Sequence, residues 1–189
     1  MMVTPDIPGV SDVINEINLS PDRSSGVVGG SLIDEILKRK IGNFLRPDTK
    51  CHEKVFDGVG PLSTFSARID MGYLLRMYGK EVQRDLHRIR QIRNEFAHQL
   101  TATFSTQRIR DLSLALYLPE RYTADLELAK EPMKKEKMPD NLMEWWRWIY
   151  VPDREQSLKD PRERFIIALQ TLAWALSGRN TRLKGGDLG

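Results

Sequence analysis

Arg93, Asn94 and His98 are the residues whose types and spacing suggest chemistry in this chain. A guanidinium can stabilise a pentacovalent phosphate, and an imidazole can act as general acid or base near neutral pH. An arginine followed five positions later by a histidine could therefore serve acid–base chemistry on a phosphate ester without a metal ion, with Arg93 and His98 catalytic and Asn94 supporting. Five residues turn a helix through about 140°, so the two side chains diverge on a single helix. The alternative needs no reaction: Arg93 forms a buried ion pair and His98 hydrogen-bonds at the helix end. That structural role is the preferred one, so no catalytic residue is assigned.

Other clusters carry weaker chemistry. Cys51 and His52 lie near Asp48 and Glu53, with no second Cys or His at a metal spacing. Neither a metal site nor a cofactor is expected. Arg84, Arg88 and Arg90 could form a phosphate-binding stripe, but Glu81, Asp85 and Glu95 stand among them. A solvated face with local ion pairs is the preferred reading, and His87 is expected on the same polar surface. Trp145, Trp146 and Trp148, with Arg147 between them, could stack bases; packing onto the bundle or an interface is favoured. No Gly-rich phosphate loop, Ser-His-Asp arrangement or helix-turn-helix signature is present.

The element that must position Arg93 and His98 runs from Lys80 to His98 and reads as one helix, roughly 28 Å long. Val82, Leu86, Ile89, Ile92 and Phe96 recur at spacings of three and four, and Arg93 falls inside their arc. A buried guanidinium needs a carboxylate or several carbonyls, and Asp70, Asp34 and Glu35 are the candidates. Before it, Ser63 or Thr64 caps a helix bearing Phe65, Ile69, Gly72 and Tyr73, and Gly79 makes the pair an αα-hairpin. Gly72 is expected to let their axes approach.

Upstream, a short helix starts near Ser11. Ser20 as cap and Pro21 at the first helical position then open a longer one. Gly26, Gly29 and Gly30 sit inside it, each costing about 1 kcal/mol relative to alanine. Close approach to another helix would compensate; the alternative is a break, with the helix beginning at Ser31. Arg46 to Gly60 reads as a loop. Ser105 or Thr106 caps a helix through Leu116. Ala129 to Pro139 reads as a solvated loop or weak helix. Asp160 caps the last helix, with Pro161 at its first position and Gly178 ending it.

No alternating strand pattern and no internal repeat appears. The expected fold is all-α, a single-domain bundle of about six helices. Residues 1–19 form an arm or short helix, 20–178 the bundle and 179–189 a flexible tail. The 189 residues, 40% hydrophobic and 29% charged, suit an ordinary globular domain. No apolar run is long enough to span a bilayer and no signal peptide is visible, which gives the expectation of a cytoplasmic location. The net charge of +3 permits nucleic-acid contact without demanding it.

Several runs resemble the mannitol operon repressor family: Ser20-Pro21-Asp22-Arg23, Phe56-Asp57-Gly58, Gly60-Pro61-Leu62-Ser63-Thr64-Phe65-Ser66-Ala67-Arg68-Ile69, Asp85-Leu86, and Ile89 through His98. Pro161-Arg162-Glu163-Arg164-Phe165 is similar to that family's last helix start. Arg76 stands where a small residue is expected. The resemblance implies a bacterial protein of transcriptional control over sugar-alcohol use, acting through a protein partner. Direct duplex DNA binding is then weak or absent, and a homodimer is allowed. Arg90, Arg93, Asn94, Glu95, Phe96 and His98 become its interaction or structural motif. Arg93 and His98 also fit the arginine-x4-histidine motif of HEPN domains, where two such helices meet at a dimer interface; that resemblance implies RNA as substrate.

Overall fold

The computed structural model describes residues 9–120 and 154–177. All regular elements among them are helices: α1 Val10–Leu19, α2 Asp22–Gly42, α3 Thr49–Phe56, α4 Phe65–Leu74, α5 Lys80–His98, α6 Gln107–Leu114, α7 Arg154–Lys159 and α8 Pro161–Ser177, with residues 118–120 helical as well. The bundle is therefore all-α, as expected. The expected helix count falls short because α3 and α7 are not visible in the hydrophobic pattern. Residues 46–60 are not one loop: Asp48 accepts from Cys51 N at 3.0 Å and caps α3. This helix has eight residues and buries only Phe56, so it carries almost no apolar period. The Trp145–Trp148 segment, the 129–139 stretch and the 179–189 tail lie outside the described residues.

α5 packs on α2, α4 and α6, and α2 packs in turn on α1, α4 and α8. Val82, Leu86, Ile89, Ile92 and Phe96 are all buried. α2 runs unbroken from Asp22 to Gly42, so the expected alternative of a start at Ser31 is not adopted. Its glycines mark close approach. A methyl at Gly26 would overlap the Phe96 ring, and one at Gly29 would overlap Leu169 of α8. One at Gly30 would stand 2.5 Å from Arg93 Cβ. Gly26 facing Phe96 and Gly30 facing Arg93 run in opposite chain directions, so α2 and α5 are antiparallel. Beyond Phe96 the core continues through Phe104, at 5.0 Å between ring centroids, to Phe165 at 5.3 Å.

Two local expectations are corrected. Pro21, not Ser20, is the N-cap residue of α2. The Asp22 carboxylate accepts from Arg162 Nη1 at 2.6 Å and Phe104 N at 3.0 Å, drawn away from the helix by partners distant in the chain. Gly72 does not admit α5; it makes room for Tyr78, whose hydroxyl donates to Ile69 O at 2.8 Å. Burial and the nearby Asp70 charge push the Tyr78 phenol well above its usual range. α4 ends in a Schellman turn, with Met77 N donating to Gly72 O and Arg76 N to Tyr73 O. Arg76 occupies the left-handed position there at φ 56°. α8 starts as expected, with Asp160 Oδ1 accepting from Glu163 N at 2.8 Å.

Candidate functional site

The last turns of α5 and the α2 face beside them hold the candidate residues. Arg93 is half-buried. Its stem lies along Gly30, and its Nη1 donates to Asn94 Oδ1 at 3.2 Å. The expected acidic or carbonyl partner of Arg93 is not found among the described residues. Asp34 accepts instead from Arg68 Nε and Nη2 at 2.7 and 2.8 Å, while Arg68 Nη1 donates to Leu62 O. Asp70 accepts from Gln83 Nε2 at 2.8 Å and lies 3.1 Å from His87 Nε2. Glu35 accepts from Arg39. Position in an apolar arc did not bury the Arg93 head, because Gly30 admits the methylene stem and the guanidinium reaches the margin.

His98 is the last residue of α5 and is exposed. On this regular helix it diverges from Arg93 by about 140°. Phe96 belongs to the core, and Glu95 accepts from Gln99 Nε2 at 2.6 Å. Arg84 and Arg88 take local partners, Glu81 and Asp85, both at 2.6 Å. Arg90 does not, and its buried Nε has no hydrogen-bond partner. Arg90, Arg93, Asn94 and Ala97 therefore share one stripe, at i, i+3, i+4 and i+7.

Two features differ from the sequence reading, which placed Asp85 on a solvated face and foresaw no cavity. Asp85 is fully buried. Its Oδ2 accepts from Tyr117 N and Leu118 N, both at 2.8 Å, and its Oδ1 from Arg88. Burial raises its pKa, against the pull of those hydrogen bonds. Its place between Val82 and Ile89, inside the apolar arc, was the available signal. The second feature is a cavity of about 970 Å³ between the end of α2 and α3, with Phe44, Leu45, Phe56 and Leu176 on its wall. It went unseen because α3 did. On its rim Lys38 pairs with Asp57 and Arg39 with Glu35. His52 Nε2 lies 2.9 Å from Arg46 O. Among the described residues no three His, Cys, Asp or Glu side chains gather at metal distance.

The geometry defines an all-helical protein in which, among the described residues, Arg93 lies at the margin of the α2–α5 seam and His98 is exposed at the end of α5. No protein-family model matches the chain, and no curated protein matches it. Among solved structures it is similar to a chain of the MtlR–HPr complex from Escherichia coli, determined by X-ray diffraction. The TM-score is 0.58 at 19% identity, over 88% of this chain and 97% of that one. The two chains share a fold. No helix among the described residues is long and apolar enough to cross a membrane.

Proposed function

We infer that this chain is a bacterial transcriptional regulator of the mannitol-repressor type, acting through protein contact and not by reading duplex DNA. The observation that carries the reading is the fold likeness to a chain solved in complex with HPr. The residue runs that resemble the mannitol operon repressor family support the same conclusion. The placement of α5 also supports it. This arginine-rich helix is packed on α2, α4 and α6, and two of its arginines are paired with Glu81 and Asp85, which takes those cations from a phosphate backbone.

Titration calorimetry of the purified chain with HPr from the same cell tests the reading; a saturable one-to-one complex is expected. In gel shifts, duplex DNA should bind weakly, without sequence preference, and release as salt rises. Nanomolar, sequence-selective DNA binding at physiological salt would overturn the mechanism.

A ribonuclease reading draws on one observation: neither Arg93 nor His98 is held in an ion pair among the described residues, and His98 is exposed. Incubation with structured and single-stranded RNA should give no robust cleavage. Cutting that falls about 10²–10⁴-fold in folded His98→Ala would establish the enzyme instead.

A further inference from the structure

Three arginines line the open margin of the α2–α5 seam. Arg93 gives one N–H to Asn94. Arg23, in the first turn of α2, gives Nε to Phe96 O at 3.1 Å. Arg90 is half-buried, and no hydrogen bond or ion pair ties down its guanidinium among the described residues, its sealed Nε included. None of the three is within ion-pair distance of a carboxylate among the described residues. The antiparallel pairing of Gly26 with Phe96 and Gly30 with Arg93 puts Asp34 near the level of Arg90. That carboxylate already has both oxygens on Arg68. From Arg90 to Ala97 the α5 stripe spans about 10 Å. Half-buried Val27 and exposed Ala97 add small apolar contacts at this margin.

We propose that this seam is the docking surface for an acidic segment of a protein partner, whose carboxylates are received by Arg23, Arg90 and Arg93. The proposal deepens the protein-contact reading and rests on it. Charge complementarity selects the occupant: three guanidiniums match carboxylates by planar, paired hydrogen bonds. A nucleic-acid backbone fits less well. Three phosphate contacts supply a small share of the electrostatic term such binding uses, and the stripe holds no aromatic platform for bases.

The test measures fluorescence anisotropy of a labelled dodecapeptide of alternating glutamate and alanine against the full chain. The matching lysine peptide and a single-stranded RNA dodecamer run beside it. Arg90→Gln and Arg93→Gln retain methylenes along the helix, Arg23→Gln is a third variant, and Arg110→Gln on α6 is the control. Thermal melts confirm folding; if one variant fails to fold, the other two decide. Each glutamine should weaken the glutamate peptide roughly tenfold, the worth of one charged hydrogen bond. The control should match the wild type, the lysine peptide should not bind, and added salt should weaken the complex.

Equal peptide affinity in wild type and variants, or no peptide binding, would overturn the proposal. So would RNA binding that is tighter and lost in the same variants, or loss of a dimer in them by light scattering. A protein partner that binds wild type and the Arg90→Gln/Arg93→Gln chain equally would sink the surface and leave the functional reading standing. Arginine-dependent peptide binding in a chain that binds no protein partner would do the reverse.

Discussion

Gly30→Ala tests the α2–α5 seam directly. In an open helix this change would stabilise by about 1 kcal/mol. Here the new Cβ would stand 2.5 Å from Arg93 Cβ and 2.8 Å from Arg93 Cγ. Carbon atoms settle at about 3.5–4.0 Å, so the gap must widen by about 1 Å. Arg93 Cβ is bonded to the backbone, and no rotamer moves it. The helix axes themselves must part, which also disturbs the packing of Gly26 on Phe96. Overpacking against so stiff a neighbour falls near the top of the usual range of about 1–3 kcal/mol. After the propensity gain, the net loss is about 2 kcal/mol. With a urea slope near 2 kcal/mol/M, the midpoint should fall by about 1 M at unchanged slope. Ser31→Ala, the exposed neighbour, should move stability by no more than about 0.5 kcal/mol. A Gly30→Ala chain as stable as wild type would show that the helices are not in close contact at this point.

Three further outcomes are expected. Arg76→Gly should stabilise by about 1 kcal/mol in urea, because glycine occupies the left-handed position at φ 56° without the Cβ penalty; a loss would mean that the arginine side chain holds the turn. Arg68→Ala should cost about 3–5 kcal/mol, since it strips Asp34 of a bidentate partner, whereas Arg93→Ala should cost only about 1 kcal/mol of stem packing; equal costs in denaturation would refute the assignment of partners. Asp85 has a raised folded-state pKa, so its contribution is fully present below the ordinary carboxylate range and lost as pH rises through the raised value. The lead of wild type over Asp85→Asn should therefore shrink as pH rises through that window, and a lead that widens in pH-dependent melts would contradict the sign.

The elements legible in the sequence are those with a long period and a clear stop. The Lys80–His98 span holds over five turns because Val82, Leu86, Ile89, Ile92 and Phe96 bury one continuous stripe. Asp160 and Pro161 mark the start of α8 by local hydrogen bonding alone. Where the determinant is distant in the chain, local rules fail. Asp22 answers to Arg162, separated by 140 positions, so the cap motif before α2 misplaces the start. α3 has only eight residues and one buried side chain, too little for a periodic signal. The arginine-to-histidine spacing was visible, but whether Arg93 meets a carboxylate depends on Asp34, Asp70 and Glu35, and each is committed elsewhere.

The glycines of α2 connect stability to the site. At positions 26 and 30 they cost helix propensity, yet they let α5 lie close enough for Phe96 to enter the core beside Phe104. The same closeness leaves no depth between the helices for a cleft. Arg93 cannot sink into the seam, because its stem already rests against Gly30 and its head must emerge at the margin. Among the described residues, close packing therefore yields a shallow surface edged with cations at this seam. Recognition of another macromolecule suits that shape, because a partner can cover the guanidiniums from above and exclude water only once it is bound.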